Sequence, residues 1–132
     1  MQVQETGFEG LLILQPRIFK DERGAFYESW NEATFKSLGL DLRFVQDNQS
    51  ISHKNVLRGL HFQHEPHAQG KLVRVTRGKA LDVVVDLRKN SKTYGQHCKV
   101  VLCSDKANMM WVPAGFAHGF IALENNTVFQ YK

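Results

Sequence analysis

The chain has 132 residues, of which 42% are hydrophobic and 23% charged, as expected for one soluble globular domain. Its net charge is +4, from 17 Lys and Arg against 13 Asp and Glu. That excess is too mild and too scattered for a nucleic-acid surface, and it suits a small anionic ligand. No apolar run approaches the roughly 20 residues of a membrane span, and Met1-Gln-Val-Gln-Glu-Thr6 lacks the basic start and apolar run of a signal peptide.

In chain order, runs rich in β-branched and aromatic residues predict strands at 11–14, 24–30, 42–47, 56–62, 71–76, 79–86, 96–102, 109–112, 119–123 and 127–131. Turn residues separate them, most clearly Asp21-Glu-Arg-Gly24, Arg77-Gly78, Lys89-Asn-Ser91 and Glu124-Asn-Asn126. A single helix is expected over 31–38. Ser29 and Glu32 have capping-box spacing, Phe35 and Leu38 share a face, and Gly39 provides the stop. Many short strands and one short helix indicate an all-β antiparallel barrel or sandwich.

Cys98 and Cys103 lie five positions apart in a strand-like run, a spacing that points them to opposite faces. Five strand residues span about 16 Å, whereas bridged Cα atoms lie within about 7 Å. The two thiols cannot pair with each other there, and free thiols fit a reducing, cytoplasmic setting.

The segment Asn55-Val-Leu-Arg-Gly-Leu-His-Phe-Gln63, followed by Gln69-Gly-Lys-Leu-Val-Arg-Val75, carries the strongest chemical signal. Strict alternation puts Leu57, Gly59, His61 and Gln63 on one face, and Arg58, Leu60 and Phe62 on the other. Lys71, Val73 and Val75 share a face of the next strand. With both apolar sets turned inward, His61 and Lys71 enter the same interior. A base beside a cation in an apolar cavity suits proton removal next to a carbonyl. Alone, Lys71 could snorkel to solvent and His61 could be an ordinary core histidine; the pair is the more specific signal. Asp82 and Asp86 alternate with Leu81, Val83, Val85 and Leu87, so either carboxylate is placed to point inward as well.

Three further groups stand out. In Trp111-Val-Pro-Ala-Gly-Phe-Ala-His-Gly-Phe120, Pro113 and Gly115 shape a turn ahead of His118. Pro-x-Gly-x-x-His resembles the second motif of the cupin superfamily, but the His-x-His of the first motif is replaced by His61-Phe-Gln-His64. The three-residue spacing of His61, His64 and His67 suits a helix better than a strand, and no metal is expected. In Asp21-Glu-Arg-Gly-Ala-Phe-Tyr-Glu28, Arg23 can fork onto a phosphate and Phe26 can stack on a base. Gln46, Asn48 and Arg58 form a polar set suited to holding a ligand.

Together these segments closely resemble the dTDP-4-dehydrorhamnose 3,5-epimerase family of cupin-like sugar-nucleotide enzymes. The matching motifs are Phe19-Lys-Asp-Glu-Arg-Gly24, Phe44-Val-Gln-Asp-Asn48, Asn55 to Gln63, Gln69-Gly-Lys-Leu-Val-Arg74, Asp82-Val-Val-Val-Asp-Leu-Arg88, Trp111 to Phe120 and Tyr131-Lys132, in family order. The resemblance implies a single cupin-like jelly-roll barrel over residues 1–132, a homodimer, and no metal or other cofactor. It implies double epimerisation of dTDP-4-dehydro-6-deoxy-glucose on the path to dTDP-L-rhamnose. A single-centre epimerase, a ketoisomerase on the same sugar nucleotide, and a non-catalytic sugar-nucleotide-binding module are the alternatives. His61 matches the general base, Lys71 the residue that stabilises the enolate oxygen, and Tyr131 the acid that returns a proton from the opposite face. Arg23, Phe26, Glu28, Gln46, Asn48, Arg58 and His118 match sugar-nucleotide-binding positions, some reaching across the dimer. Family members continue for several tens of residues past the Tyr-Lys pair, in a tail with a carboxylate that orients the catalytic histidine. This chain is expected to lack that segment, with Asp82 the candidate to support His61 in its place.

Overall fold

The computed structural model describes residues 1–132 as twelve strands and one helix: β1 (Gln2–Glu5), β2 (Leu12–Gln15), β3 (Phe19–Asp21), β4 (Gly24–Phe26), α1 (Glu32–Ser37), β5 (Asn48–Ser52), β6 (Leu57–His61), β7 (Lys71–Arg77), β8 (Lys79–Asp86), β9 (His97–Cys103), β10 (Met109–Val112), β11 (Phe116–Ala122) and β12 (Thr127–Tyr131). A six-stranded sheet in the order β1-β2-β10-β7-β12-β5 faces a four-stranded sheet, β6-β11-β8-β9. All pairings are antiparallel. From β7 onward the chain crosses repeatedly between the two sheets, which is the winding of a jelly roll. The short hairpin β3-β4 belongs to neither sheet. No helix is long and apolar enough to cross a membrane.

The alternation in the sequence explains the layers. Val73 and Val75 of β7, Met110 and Val112 of β10, Phe129 of β12 and Phe116 and Phe120 of β11 turn inward and form the main core between the sheets. The opposite residues of the six-stranded sheet are also covered: Leu14, Leu72 and Met109 pack under Phe35 of α1, with Trp30, Leu42, Phe44 and Trp111 around them. Neighbouring residues of β7 and β10 are therefore buried on opposite faces, Leu72 and Met109 toward α1 and Val73 and Met110 toward the main core.

Two expectations need correcting here. Residues 42–47 form no strand. Their alternation is real, but Leu42 and Phe44 are laid on the outer face of the sheet as an extended strap, and strand pairing begins only at Asn48. The helix starts later than the Ser29 capping box implies: Asn31 is the N-cap, and its side chain accepts from the Thr34 amide. Gly39 does end the helix, at a φ of 80° that a side chain would resist. Cys98 and Cys103 are both free thiols.

Candidate active site

One end of the barrel opens between the edge strands β5 and β6 into a cavity of about 1080 Å³. Its walls combine both sheets. β7 contributes Lys71 and β12 contributes Tyr131 from the six-stranded sheet; β6 contributes Arg58 and His61, and β11 contributes His118, from the other. Gln46 and Asn48 line it from the start of β5, where Gln46 Nε2 donates to Asn48 Oδ1 at 3.0 Å. Phe120 and Phe129 stack face to face at 3.9 Å beneath these polar groups and form part of its apolar floor.

Arg58 and His61 share this cavity although strict alternation separates them. In the pairing of β6 with β11, His61 stands opposite His118 and Arg58 opposite Phe120, so Gly59 and Leu60 together oppose Gly119. This bulge absorbs the extra residue and returns both side chains to one face. The strands touch so closely there that a Cβ on Gly59 would sit 2.7 Å from the Gly119 Cα, and a Cβ on Gly119 would sit 2.6 Å from the Arg58 carbonyl oxygen. Two glycines are what the crossing needs. A bulge leaves no alternation signal, and the Gly59 and Gly119 pair was the available hint. Arg58 Nε donates to Ser52 Oγ at 3.0 Å, which ties β6 to the facing edge strand.

β8 turns Ala80, Asp82, Val84 and Asp86 inward and leaves its aliphatic residues Leu81, Val83 and Val85 outward. Asp82 is fully buried and bonds His118, with 2.9 Å between Oδ2 and Nε2. Its Oδ1 has no hydrogen-bond partner. The carboxylate considered as a support for His61 thus lies on His118 instead, because Asp82 pairs with Phe120 in the ladder and the His118 ring is its inward neighbour. Burial raises the Asp82 carboxyl above its ordinary value, while His118 and then Lys71 oppose that shift. Lys71 is half-buried; desolvation lowers its ammonium from the ordinary value, and the charge of Asp82 counters it. Its Nζ stands 6.0 Å from the centre of the Tyr131 ring.

The remaining predicted residues lie elsewhere in the chain's own fold. Arg23 is in the β3-β4 turn, paired with Asp21 through Nη2 at 2.6 Å and highly exposed. Phe26 is 70% exposed on the same hairpin, cross-strand from Phe19. Glu28 bonds Asn31 and Thr34 at the start of α1. None of the three lines the cavity. No group of three or more His, Cys, Asp or Glu side chains is arranged to hold a metal ion.

A jelly roll whose open end gathers a histidine, a half-buried lysine and a tyrosine has close relatives among known proteins. The family model described as dTDP-4-dehydrorhamnose 3,5-epimerase matches residues 5–132. The enzyme of that name from Escherichia coli K12 is 53% identical over 133 residues, which covers 100% of this chain and 72% of the relative. A Bacillus anthracis dTDP-4-dehydrorhamnose 3,5-epimerase, solved with TDP and PPi bound, superposes with a TM-score of 0.96 at 46% identity over 99% of this chain and 75% of its own. The dTDP-6-deoxy-D-glucose-3,5-epimerase of Legionella pneumophila, in complex with dTDP-4-keto-L-rhamnose, gives 0.94 at 46% identity, over 99% and 70%. Matching sequence across nearly the whole chain and matching backbone throughout place the chain in the dTDP-4-dehydrorhamnose 3,5-epimerase family.

Proposed function

We propose that the chain is an isomerase that converts dTDP-4-dehydro-6-deoxy-D-glucose to dTDP-4-dehydro-L-rhamnose, in dTDP-L-rhamnose biosynthesis. The observation that carries the proposal is the meeting of His61, Lys71 and Tyr131 in one cavity walled by both sheets. A C4 ketone acidifies the protons on C3 and C5. His61 removes one as general base, the role imidazole most often fills in proton transfer. The Lys71 ammonium holds the enolate oxygen, and Tyr131 returns a proton from the opposite face, so the carbon inverts. General acid–base assistance of this kind is worth about 10²–10⁴-fold. Gln46, Asn48, Arg58 and His118 hold the sugar nucleotide around the reacting carbons.

The active unit is a homodimer in this reading. Support comes from the β3-β4 hairpin, which carries Arg23 and Phe26 away from their own cavity and presents Phe19 and Phe26 to solvent, 51% and 70% exposed. A two-stranded ribbon with an aromatic face is poorly stable alone and gains from a second surface. The unpaired thiols fit the cytoplasm.

Turnover of the 4-keto sugar nucleotide in D₂O tests the chemistry. Deuterium is expected at both C3 and C5. Label at one carbon only selects a single-centre epimerase, a ketone moved to C3 selects a ketoisomerase, and no label from folded protein removes catalysis. His61→Ala is expected to abolish the exchange while calorimetric dTDP binding stays near wild type.

A further inference from the structure

Two residues of the motifs have no part in the chemistry above. Asp47 sits between the cavity-lining Gln46 and Asn48, and Lys132 directly follows Tyr131. In the β12–β5 register Tyr131 stands opposite Asn48, so Lys132 and Asp47 occupy the next cross-strand position. Side chains alternate across the sheet, so Tyr131 and Asn48 enter the cavity while Lys132 and Asp47 meet on the outer face. There Lys132 Nζ donates to Asp47 Oδ2 at 2.7 Å. The Lys132 backbone bonds Leu72 in both directions, at 3.0 and 3.2 Å, and Leu72 follows Lys71. One residue therefore joins the strand of Lys71, the strand of Tyr131 and the segment of Gln46 and Asn48. That segment needs a tie: residues 42–47 make no strand pairing of their own.

We propose that Lys132 and Asp47 are a positioning pair, which holds the Gln46–Asn48 wall against the Lys71 and Tyr131 strands and so sets the affinity of the cavity for its sugar nucleotide. The proposal rests on the function given above, but its test is binding, and turnover is not required. The side chains are 27% and 62% exposed, and a pair of that kind is worth at most about a factor of 5.

Calorimetric titration with dTDP-glucose, which lacks the ketone, is the measurement. Lys132→Met and Asp47→Asn are each expected to raise Kd about 2- to 5-fold. The double variant should be no weaker than either single one, and the charge swap Asp47→Lys with Lys132→Asp should recover most of the affinity. Long-range attraction of the anionic ligand makes a different forecast: loss of the lysine weakens binding and loss of the aspartate strengthens it. Opposite directions, additive losses, or variants that bind like wild type overturn the pair as a positioning device. A wild type that binds dTDP-glucose but gives no deuterium exchange overturns the catalytic reading and leaves the pair standing.

Discussion

Asp82 decides how the cavity handles charge. A fully buried carboxylate with one oxygen on His118 and the other unpartnered is costly unless cations stand near it. The Lys71 ammonium and the hydrogen bond with His118 supply that compensation, and Asp82 in return favours the charged form of Lys71 against the desolvation that lowers it. Asp82→Asn keeps an acceptor for His118 but removes the charge. The Lys71 ammonium then loses its proton at a lower pH, so the alkaline limb of kcat/KM is expected to move toward neutrality, while dTDP affinity at neutral pH changes little. A pH–rate profile of the variant checks this. An unmoved alkaline limb would mean that Asp82 carries no charge in the active pH range. The sequence placed Asp82 inside correctly, because its alternation with Leu81 and Val83 is regular. Its partner was not legible, since the choice between His61 and His118 depends on which strand lies next to β8, and that order is set by the whole sheet.

At the scale of elements, the corner after β8 is fixed by another inward carboxylate, Asp86. It accepts from Arg88 Nε and Nη2 at 2.9 and 2.8 Å, and from Ser91 and Thr93 at 2.6 Å each. Arg88 lies over the Phe116 ring at 4.4 Å and donates to the Glu9 carbonyl, so this cluster pins the loop after β8 to the start of β11 and to the segment ahead of β2. The Arg88 guanidinium, followed by the two hydroxyls, holds the Asp86 carboxyl well below its ordinary value of 3.8 despite burial. A depressed carboxylate stabilises the fold fully above its unfolded value and loses that contribution as the pH falls through the folded one. Asp86→Asn is expected to cost about 2 kcal/mol at pH 7, and denaturant melts should show the gap to wild type closing as the pH drops below about 4. Elements of this kind were the legible ones: β8 and β12 follow from period-two patterns with one clear inner face, and β7 and β10 from apolar residues that are covered on both faces. The misses have separate causes. β1 and β5 are edge strands with polar sequences, Gln-Val-Gln-Glu and Asn-Gln-Ser-Ile-Ser, which carry no core signal. The strap at 42–47 alternates like a strand because it lies on a sheet, not in one. On β6 the bulge at Gly59 and Leu60 overturned the assignment of Arg58 to the outer face. The fold gathers His61, Lys71, His118 and Tyr131, all candidates from the sequence, in one cavity.

For the whole molecule the deciding feature is the position of Arg23 and Phe26. Their hairpin stands apart from both main sheets and from the cavity of the same chain, so a role in sugar-nucleotide binding requires a second subunit whose cavity they complete. A C2 dimer would make two such composite sites, each with its base from one chain and its hairpin from the other. This arrangement has a consequence that a self-sufficient monomer lacks. His61→Ala leaves the hairpin intact but removes the base; Arg23→Ala leaves the base intact but weakens the hairpin. Each variant alone is expected to give little deuterium exchange. In a hybrid dimer of the two, one site carries both defects and the other carries neither. Random reassembly of equal amounts makes about half of the dimers hybrid, so about a quarter of all sites should work. Co-expression of differently tagged variants, isolation of the hybrid and an exchange assay measure this directly, with sedimentation to establish the dimer. Recovery to about half of wild-type activity per hybrid is the expected result, because one of its two sites is whole. If the hybrid is no more active than the parent variants, Arg23 acts within its own chain or not at all, and the hairpin must fold back onto a cavity it does not reach in this structure.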